Sequence, residues 1–276
     1  MFSLLDKVIW KSGLRGPIPP PARSTATGEF AYLHDMPRHQ SATLVLDGQD
    51  FQVADGFSFY WMHKEIYDEE IYRFRPQSDQ PLIIDCGANY GVSLTWFKKH
   101  YPFSRIIAVE ADPCIYKILE ANVKRHQLDN IQLMQRAVSA TRAPLSFSCI
   151  GADSSRIQSL NPEAEYNGSS VVSIQSVLID DLIDNEIVDF LKVDIEGAEV
   201  DALNACRKLD QVNQLFVEYH SFAHAPQKLQ ELLRTLQDAG FRYYIDKIYR
   251  PQRPYQEITS NQGMDLQLAI YATRPT

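Results

Sequence analysis

Basic residues are in short supply. The 276 residues hold 27 Lys and Arg against 35 Asp and Glu, for a formal net charge of −8. Nucleic-acid binding needs Lys and Arg clustered against phosphates, so no nucleic-acid partner is expected. Cysteine is scarce as well, and none of Cys86, Cys114, Cys149 and Cys206 stands in a C-x-x-C pair. That spacing supplies neither a disulfide framework nor a zinc knuckle. The four thiols lie in apolar stretches, where a free thiol acts as a small hydrophobe, and a reducing, cytoplasmic setting is expected. No apolar run is long enough to span a bilayer. The first ten residues place Asp6 and Lys7 inside a short apolar run, which does not read as a secretory signal. Their stripe of Phe2, Leu4, Leu5, Val8 and Ile9 predicts a short amphipathic helix docked on the body of the protein.

What is present is an ordinary globular balance, 45% hydrophobic and 22% charged. The length suits one large α/β domain with an N-terminal addition. There is no internal repeat. Gly16-Pro17-Ile18-Pro19-Pro20-Pro21 is a stiff, non-helical connector. Thr43 to Leu46 and Phe51 to Ala54 flank Asp47-Gly48, a hairpin cue, and residues 57 to 74 read as a helix. Residues 1–78 are therefore expected to form an extension packed on a main domain at 79–276, and a homo-oligomer would pair through that extension.

From Pro81 onward, short apolar runs alternate with helical stretches. Strands are expected at 82–84, 105–109, 131–135, 188–193, 215–219, 241–245 and 266–272. Helices are expected at 92–100, 113–126, from about 198, and at 226–239. Such alternation predicts an α/β fold with a doubly wound, mostly parallel sheet, and the last two strands suggest an antiparallel edge. Residues 144–174, with Gly151, Ser154, Ser155, Pro162, Asn167 and Gly168, interrupt the alternation. An insertion of that length at a strand end is either a lid or a surface loop.

Asp85-Cys86-Gly87-Ala88-Asn89-Tyr90-Gly91 follows the first buried strand and opens a helix. Its glycines permit a tight turn and close approach of a ligand to the backbone. Glu110 ends the next strand, where a carboxylate can accept hydrogen bonds from ribose hydroxyls. A dinucleotide fingerprint would need glycine where Asn89 stands, and no Gly-Lys-Ser/Thr phosphate loop is present. Asp85, just before the first glycine, suits a cationic ligand with an ammonium group. S-adenosylmethionine, with its sulfonium, ammonium and ribose, fits that charge pattern.

The fourth strand ends in Asp194-Ile195-Glu196-Gly197-Ala198-Glu199. Asp194 is expected at the carboxyl end of the sheet, where ligands bind in open α/β folds. Glu199 is read as a residue that starts a helix and favours its positive end. On the fifth strand, alternation puts Glu218 and His220 on one face and Tyr219 on the other. His220 or Asp194 is the candidate general base, with Glu218 orienting His220. A satisfied structural Glu–His pair is the plainer alternative.

The runs Ile84 to Gly91, Val109-Glu110-Ala111-Asp112-Pro113, Ala137-Val138, Leu191 to Glu199 and Val217-Glu218-Tyr219-His220 together resemble the FkbM family of methyltransferases, over about residues 81–246. The resemblance implies a class I, Rossmann-like methyltransferase fold and O-methylation of natural products or glycans. It implies that Gly87, Asn89 and Gly91 line the methyl-donor site, with Ala88, Tyr90 and Ala111 in the same turns. It also implies that Glu110 holds the ribose and that Ala137 lies by the adenine. The acceptor is accordingly expected to be a small-molecule or sugar hydroxyl. Two alternatives are a nucleic-acid or other N-methyltransferase and a non-catalytic binding protein that kept the fold. The first usually has an Asn/Asp-Pro-Pro-aromatic turn after the fourth strand, where this chain has Asp194-Ile195-Glu196-Gly197. The second would need neither Asp85 nor Glu110. Mg²⁺ held by Asp194 and Glu218 is a variant, but metal-free catalysis is favoured because His220 supplies a base.

Overall fold

The computed structural model describes residues 27–149, 156–157, 170–256, 261 and 263–275. The expected amphipathic start, the proline connector and most of the 144–174 insertion lie outside the described residues. Among them, no helix is long and apolar enough to cross a membrane.

The hairpin forms as its sequence directs. β1 (Ala42–Leu46) and β2 (Gln49–Val53) pair antiparallel across Asp47 and Gly48, both at positive φ. That backbone suits the right-handed twist of a two-residue hairpin turn. α1 (Gly56–His63) begins at Asp55, whose side chain accepts from the Ser58 amide. The helix expected over 57–74 is shorter than the sequence suggests. It widens into a π-helical turn at Lys64–Asp68 and ends. Tyr72 and Phe74 are both buried, against Phe97, Phe190 and Phe216 for the one and Tyr101 and Phe190 for the other. Residues two apart share a face in extended chain but not in a helix, so core packing overrides the helical signal here.

The central sheet holds seven strands: β3 (Leu82–Cys86), β4 (Arg105–Glu110), β5 (Ile131–Gln135), β11 (Val188–Val193), β12 (Val212–Phe222), β13 (Arg242–Tyr249) and β14 (Met264–Thr273). Their order is β13-β14-β12-β11-β3-β4-β5. β14 runs antiparallel to both of its neighbours, while the pairings from β12 through β5 are parallel. This order, with its single reversed strand, is the class I methyltransferase arrangement. β3 and β11 are buried along their whole lengths, as a sheet covered on both faces requires. α2 (Val92–His100) and α3 (Pro113–Arg125) follow β3 and β4; α5 (Glu199–Ala205) and α6 (Leu229–Asp238) follow β11 and β12. Two large apolar clusters form most of the core among the described residues. One joins the hairpin and α1 to α2 and α3, and the other lies among β11, β12, α5 and α6.

The described parts of the insertion are strands. β6 (Ala137–Val138) pairs with β10 (Ser176–Val177), ahead of a short helix, α4 (Ile179–Ile183). β7 (Leu145–Cys149) pairs with β8 (Arg156–Ile157) and β9 (Ser170–Ile174) in a separate antiparallel sheet. Phe147 and Cys149 pack from β7 onto Ala137 and Ile174. The parallel strands β3, β4 and β11 all point their carboxyl ends at one edge, and the site lies there.

Candidate active site

The turn after β3 is built on close backbone approach. Gly87 has φ +87°, and a Cβ placed there would sit 1.8 Å from the Asp194 carbonyl oxygen. The glycine therefore lets the β3 and β11 loops touch, and the Gly87 and Ala88 amides both donate to the Val109 carbonyl. This corrects the expected reason for that glycine, since the first obstacle to a side chain is protein backbone and not a ligand. Gly91, at φ +92°, faces Leu119, whose Cδ1 would lie 2.9 Å from an added Cβ. Gly91, Ala88 and Tyr90, expected to line a methyl-donor site, do not border the narrow cleft beside this turn. Tyr90 is fully buried and packs against Phe51 of the hairpin. These three residues shape and anchor the turn.

Asp85 is also corrected. Its side chain is fully buried, accepts from Ser93 Oγ at 2.5 Å and pairs with Lys192 Nζ at 3.2 Å. Register explains the pair, because Lys192 lies directly opposite Asp85 across β3 and β11. Lys192 also pairs with Asp194 at 3.3 Å and donates to the Gly87 carbonyl at 2.8 Å. Burial works against its charge, but Asp85 and Asp194 outweigh burial and raise its pKa well above the lysine range. The cation that Asp85 faces is thus the protein's own ammonium.

Beside this turn lies a narrow cleft bordered by Gly87, Asn89, Glu110, Ala111, Ala137 and Phe147, among others. Glu110 ends β4 with both carboxylate oxygens in use: Oε2 accepts from the Asn89 amide at 2.9 Å and Oε1 from the Asp112 amide at 2.8 Å. Each oxygen keeps a lone pair for a further donor. Burial, with the nearby Asp112 charge, pushes the Glu110 pKa up to about 7. Asn89 has φ 49°, a left-handed conformation that asparagine tolerates better than most residues. It is held there by its own side chain, whose Oδ1 accepts from the Tyr90 amide at 2.8 Å.

A second, larger cavity of about 700 Å³ opens on the other side of Asn89. Its walls come from α1 and the π-turn (Phe57, Trp61, Glu65, Glu69), from the ends of β11 and β12 (Asp194, Glu196, Phe216, Glu218), and from β13 and β14 (Asp246, Tyr249, Gln267, Tyr271). Asn89, Asp194 and Glu196 border both cavities. Glu196 sits at φ 58°, also left-handed. Positive φ in a side-chain-bearing residue costs energy and gathers at functional sites.

At that junction the strand alternation holds. Glu218 Oε1 lies 3.4 Å from His220 Nε2. Gln267, opposite His220 on β14, donates to Glu218. Glu218, expected to orient His220, does not hold it alone. The closest partner is Glu199, whose Oε1 accepts from His220 Nδ1 at 2.9 Å and from the Ile195 and Gly197 amides at 3.1 and 2.9 Å. Glu199 does start α5, but its carboxyl is fully buried and folds back to fix the histidine. Glu196 Oε2 stands 4.0 Å from His220 Nε2. Burial opposes the imidazolium, but Glu199 and Glu196 overcome it and raise the His220 pKa well above the usual range. Asp194 moves the other way from a typical paired carboxylate: burial and the neighbouring Glu218 raise its pKa despite Lys192.

Lys192, Glu196 and the α1 wall were not singled out by residue pattern. For Lys192 a signal existed, because a lysine inside Phe190-Leu191-Lys192-Val193 must find a buried partner. For the α1 wall there was none, since nothing local ties residues 57–69 to a strand end more than a hundred residues away.

The family model for the methyltransferase FkbM domain matches residues 85–243, more than half of the chain. Methyltransferase 1 of Beauveria bassiana (strain ARSEF 2860) is 26% identical over 184 residues, covering 56% of this chain and 74% of that protein. Methyltransferase sdnD of Sordaria araneosa is 24% identical over 249 residues, covering 76% and 95%. Among solved structures, the FkbM methyltransferase of Methylobacillus flagellatus KT superposes with a TM-score of 0.47 at 18% identity, covering 79% of this chain and 53% of that one. The match covers the β3 turn, Glu110, the Asp194–Glu199 segment and His220, while the α1, Asp246, Tyr249 and β14 walls of the larger cavity lie outside it, and the chain belongs to the FkbM family of methyltransferases.

Proposed function

We propose that the protein transfers a methyl group from S-adenosylmethionine to a hydroxyl of a small molecule or sugar. The observation that carries this reading is the junction: two unlike cavities meet at Asn89, Asp194 and Glu196. The narrow one suits the methyl donor. Glu110 there presents a carboxylate with lone pairs to spare to ribose hydroxyls, and Ala111 and Ala137 provide small apolar walls for the adenine. The large one suits the acceptor. Phe57, Trp61, Phe216 and Tyr271 provide aromatic faces, and the carboxylates provide acceptors for hydroxyl protons. Glu65, Glu69, Asp194, Glu196, Glu218 and Asp246 outnumber Arg38 and Lys247 in its wall, which repels a phosphodiester backbone.

S-adenosylmethionine supplies an electrophilic methyl group on a sulfonium. The acceptor oxygen bonds to the methyl carbon as the sulfur–carbon bond breaks, which leaves a neutral thioether. The hydroxyl proton must leave in the same event, and Asp194 and Glu196 are the carboxylates placed at the junction to act on it. Lys192 ties the loops carrying Gly87 and Asp194 together, which fixes the distance between the cavities.

The test is incubation with methyl-labelled donor and a panel of hydroxylated aromatics and glycosides, read by mass spectrometry and by the methoxy signal in NMR. An O-methyl product is the expected result. Label found only in amines or nucleic acid would overturn the hydroxyl assignment, and failure to bind S-adenosylmethionine in calorimetry would overturn the whole reading.

A further inference from the structure

The junction between the cavities holds more than two carboxylates. Oxygen atoms of Asp194 and Glu196 and a nitrogen of His220 all lie within 4.8 Å of one another. Such a spacing brings three ligand atoms around one small volume. Acidic groups alone would not identify a cation site, but the histidine adds an independent feature. Its side chain is 1% exposed, and Nδ1 is fixed 2.9 Å from Glu199 Oε1. Glu199 is itself fully buried and anchored by the Ile195 and Gly197 amides. Metal-ligating histidines commonly donate one ring N–H to a carboxylate, which turns the other nitrogen toward the metal. Here that other nitrogen, Nε2, lies 3.4 Å from Glu218 and from the Gln267 side-chain nitrogen and 4.0 Å from Glu196, on the side of the cluster.

Glu218 adds a further carboxylate beside His220, and Lys192 holds Asp194 from the other side while it pairs with Asp85. We propose that Asp194, Glu196 and His220 bind one divalent cation of the Mg²⁺ or Mn²⁺ class at the junction of the two cavities, with Glu199 as the residue that positions His220. Carboxylate oxygens with a single imidazole suit hard to borderline divalent ions. The inference rests on the hydroxyl-methylation reading and deepens it. A cation at that point would coordinate the acceptor oxygen and lower the pKa of its hydroxyl, so that Asp194 and Glu196 would act on the proton through the cation they hold, and the proton would leave to solvent as the oxygen attacks.

The test is a titration of the purified, chelator-treated protein with MnCl₂, followed by electron paramagnetic resonance of free Mn²⁺, with no methyl donor or acceptor present. One saturable site per chain is expected. Glu196→Gln and His220→Gln should each weaken it strongly. Glu199→Gln should weaken it by ~10–100-fold, the usual effect of losing a carboxylate behind a metal-bound histidine. Asp246→Asn, which removes an acid elsewhere in the same cavity, should bind Mn²⁺ as the wild type does. Far-ultraviolet circular dichroism and cooperative urea unfolding verify that each variant is folded. No saturable binding at millimolar Mn²⁺, or equal affinity in folded Glu196→Gln and wild type, would overturn the proposal.

Calorimetry with S-adenosylhomocysteine in chelator separates this from the functional reading. A protein that binds that ligand in chelator but transfers methyl only after Mg²⁺ or Mn²⁺ is restored supports the cation. Full turnover in chelator overturns the cation and leaves methyl transfer standing. Absence of nucleoside binding, with Mn²⁺ still bound at one site, would count against the methyl-transfer reading and leave the cation site supported.

Discussion

Lys192 is the residue whose loss separates the two accounts of Asp85. Its ammonium contacts Asp85 at 3.2 Å, Asp194 at 3.3 Å and the Gly87 carbonyl at 2.8 Å, with 4% of the side chain exposed against 0% for Asp85. Lys192→Met keeps the length of the side chain and removes the charge. Asp85 is then left as a buried carboxylate with only the Ser93 hydroxyl as a side-chain hydrogen-bond donor to it. Removing one partner of a buried ion pair costs ~3–5 kcal/mol, because the other charge is stranded. A domain with ~5–15 kcal/mol of stability would survive that at 25 °C, but with a much lower urea midpoint. Asp85→Asn costs less, since Lys192 keeps Asp194. In the double variant the fully buried carboxylate is gone and only the partly exposed Asp194 lacks Lys192, so the two changes should couple by ~2 kcal/mol or more in the favourable direction. The assay is urea unfolding of the wild type, both singles and the double at constant m-value, beside calorimetric binding of the methyl donor. Asp85→Asn should bind the donor nearly as well as the wild type. Additive stability effects would refute the ion-pair argument. A large loss of donor affinity in a fully stable Asp85→Asn protein would restore Asp85 as the partner of a ligand ammonium.

Glu110, with its pKa pushed up to about 7, should make methyl-donor binding pH-dependent. Ribose hydroxyls donate to the ionised form, so affinity should rise as pH passes upward through about 7 and a proton should be released on binding; calorimetry in buffers of different ionisation enthalpy reads both. Glu110→Ala should weaken binding by ~1.5–3 kcal/mol per charged hydrogen bond lost, and a folded variant with unchanged affinity would remove Glu110 from the ribose role. Asp55 is fully buried and accepts from the His39 amide at 2.6 Å, from Ser58 N at 3.0 Å and from Arg38 Nε at 3.0 Å. Although burial opposes it, these bonds hold its pKa below the ordinary value of 3.8, so its contribution to stability is full above that value and is lost as pH falls through the depressed one. Asp55→Ala should cost ~3 kcal/mol at neutral pH, and the difference from wild type in thermal unfolding should shrink in acid.

Local order dictated much of this protein. The alternation of apolar runs and helical stretches after Pro81 gave the parallel sheet. Asp47-Gly48 gave the hairpin. The position of Glu110 at a strand end and the shared face of Glu218 and His220 followed from chain geometry alone. The distribution of charge among these residues was decided in three dimensions. Asp85 read as a group awaiting a cation, and the cation proved to be Lys192, opposite it in register on a strand a hundred residues later. Glu199 read as a helix-start acid, and the return of α5 toward β12 put its carboxylate against His220. His220 read as a base beside Glu218 alone, and tertiary packing brought Glu196 and Glu199 to the same ring, which favours its charged form. The helix expected to run to residue 74 stopped at 68, because Tyr72 and Phe74 are both drawn into the core beside Phe190. Secondary structure rests on period and propensity, which a single segment carries. Protonation state and site electrostatics depend on distances between segments, and only tertiary packing sets those.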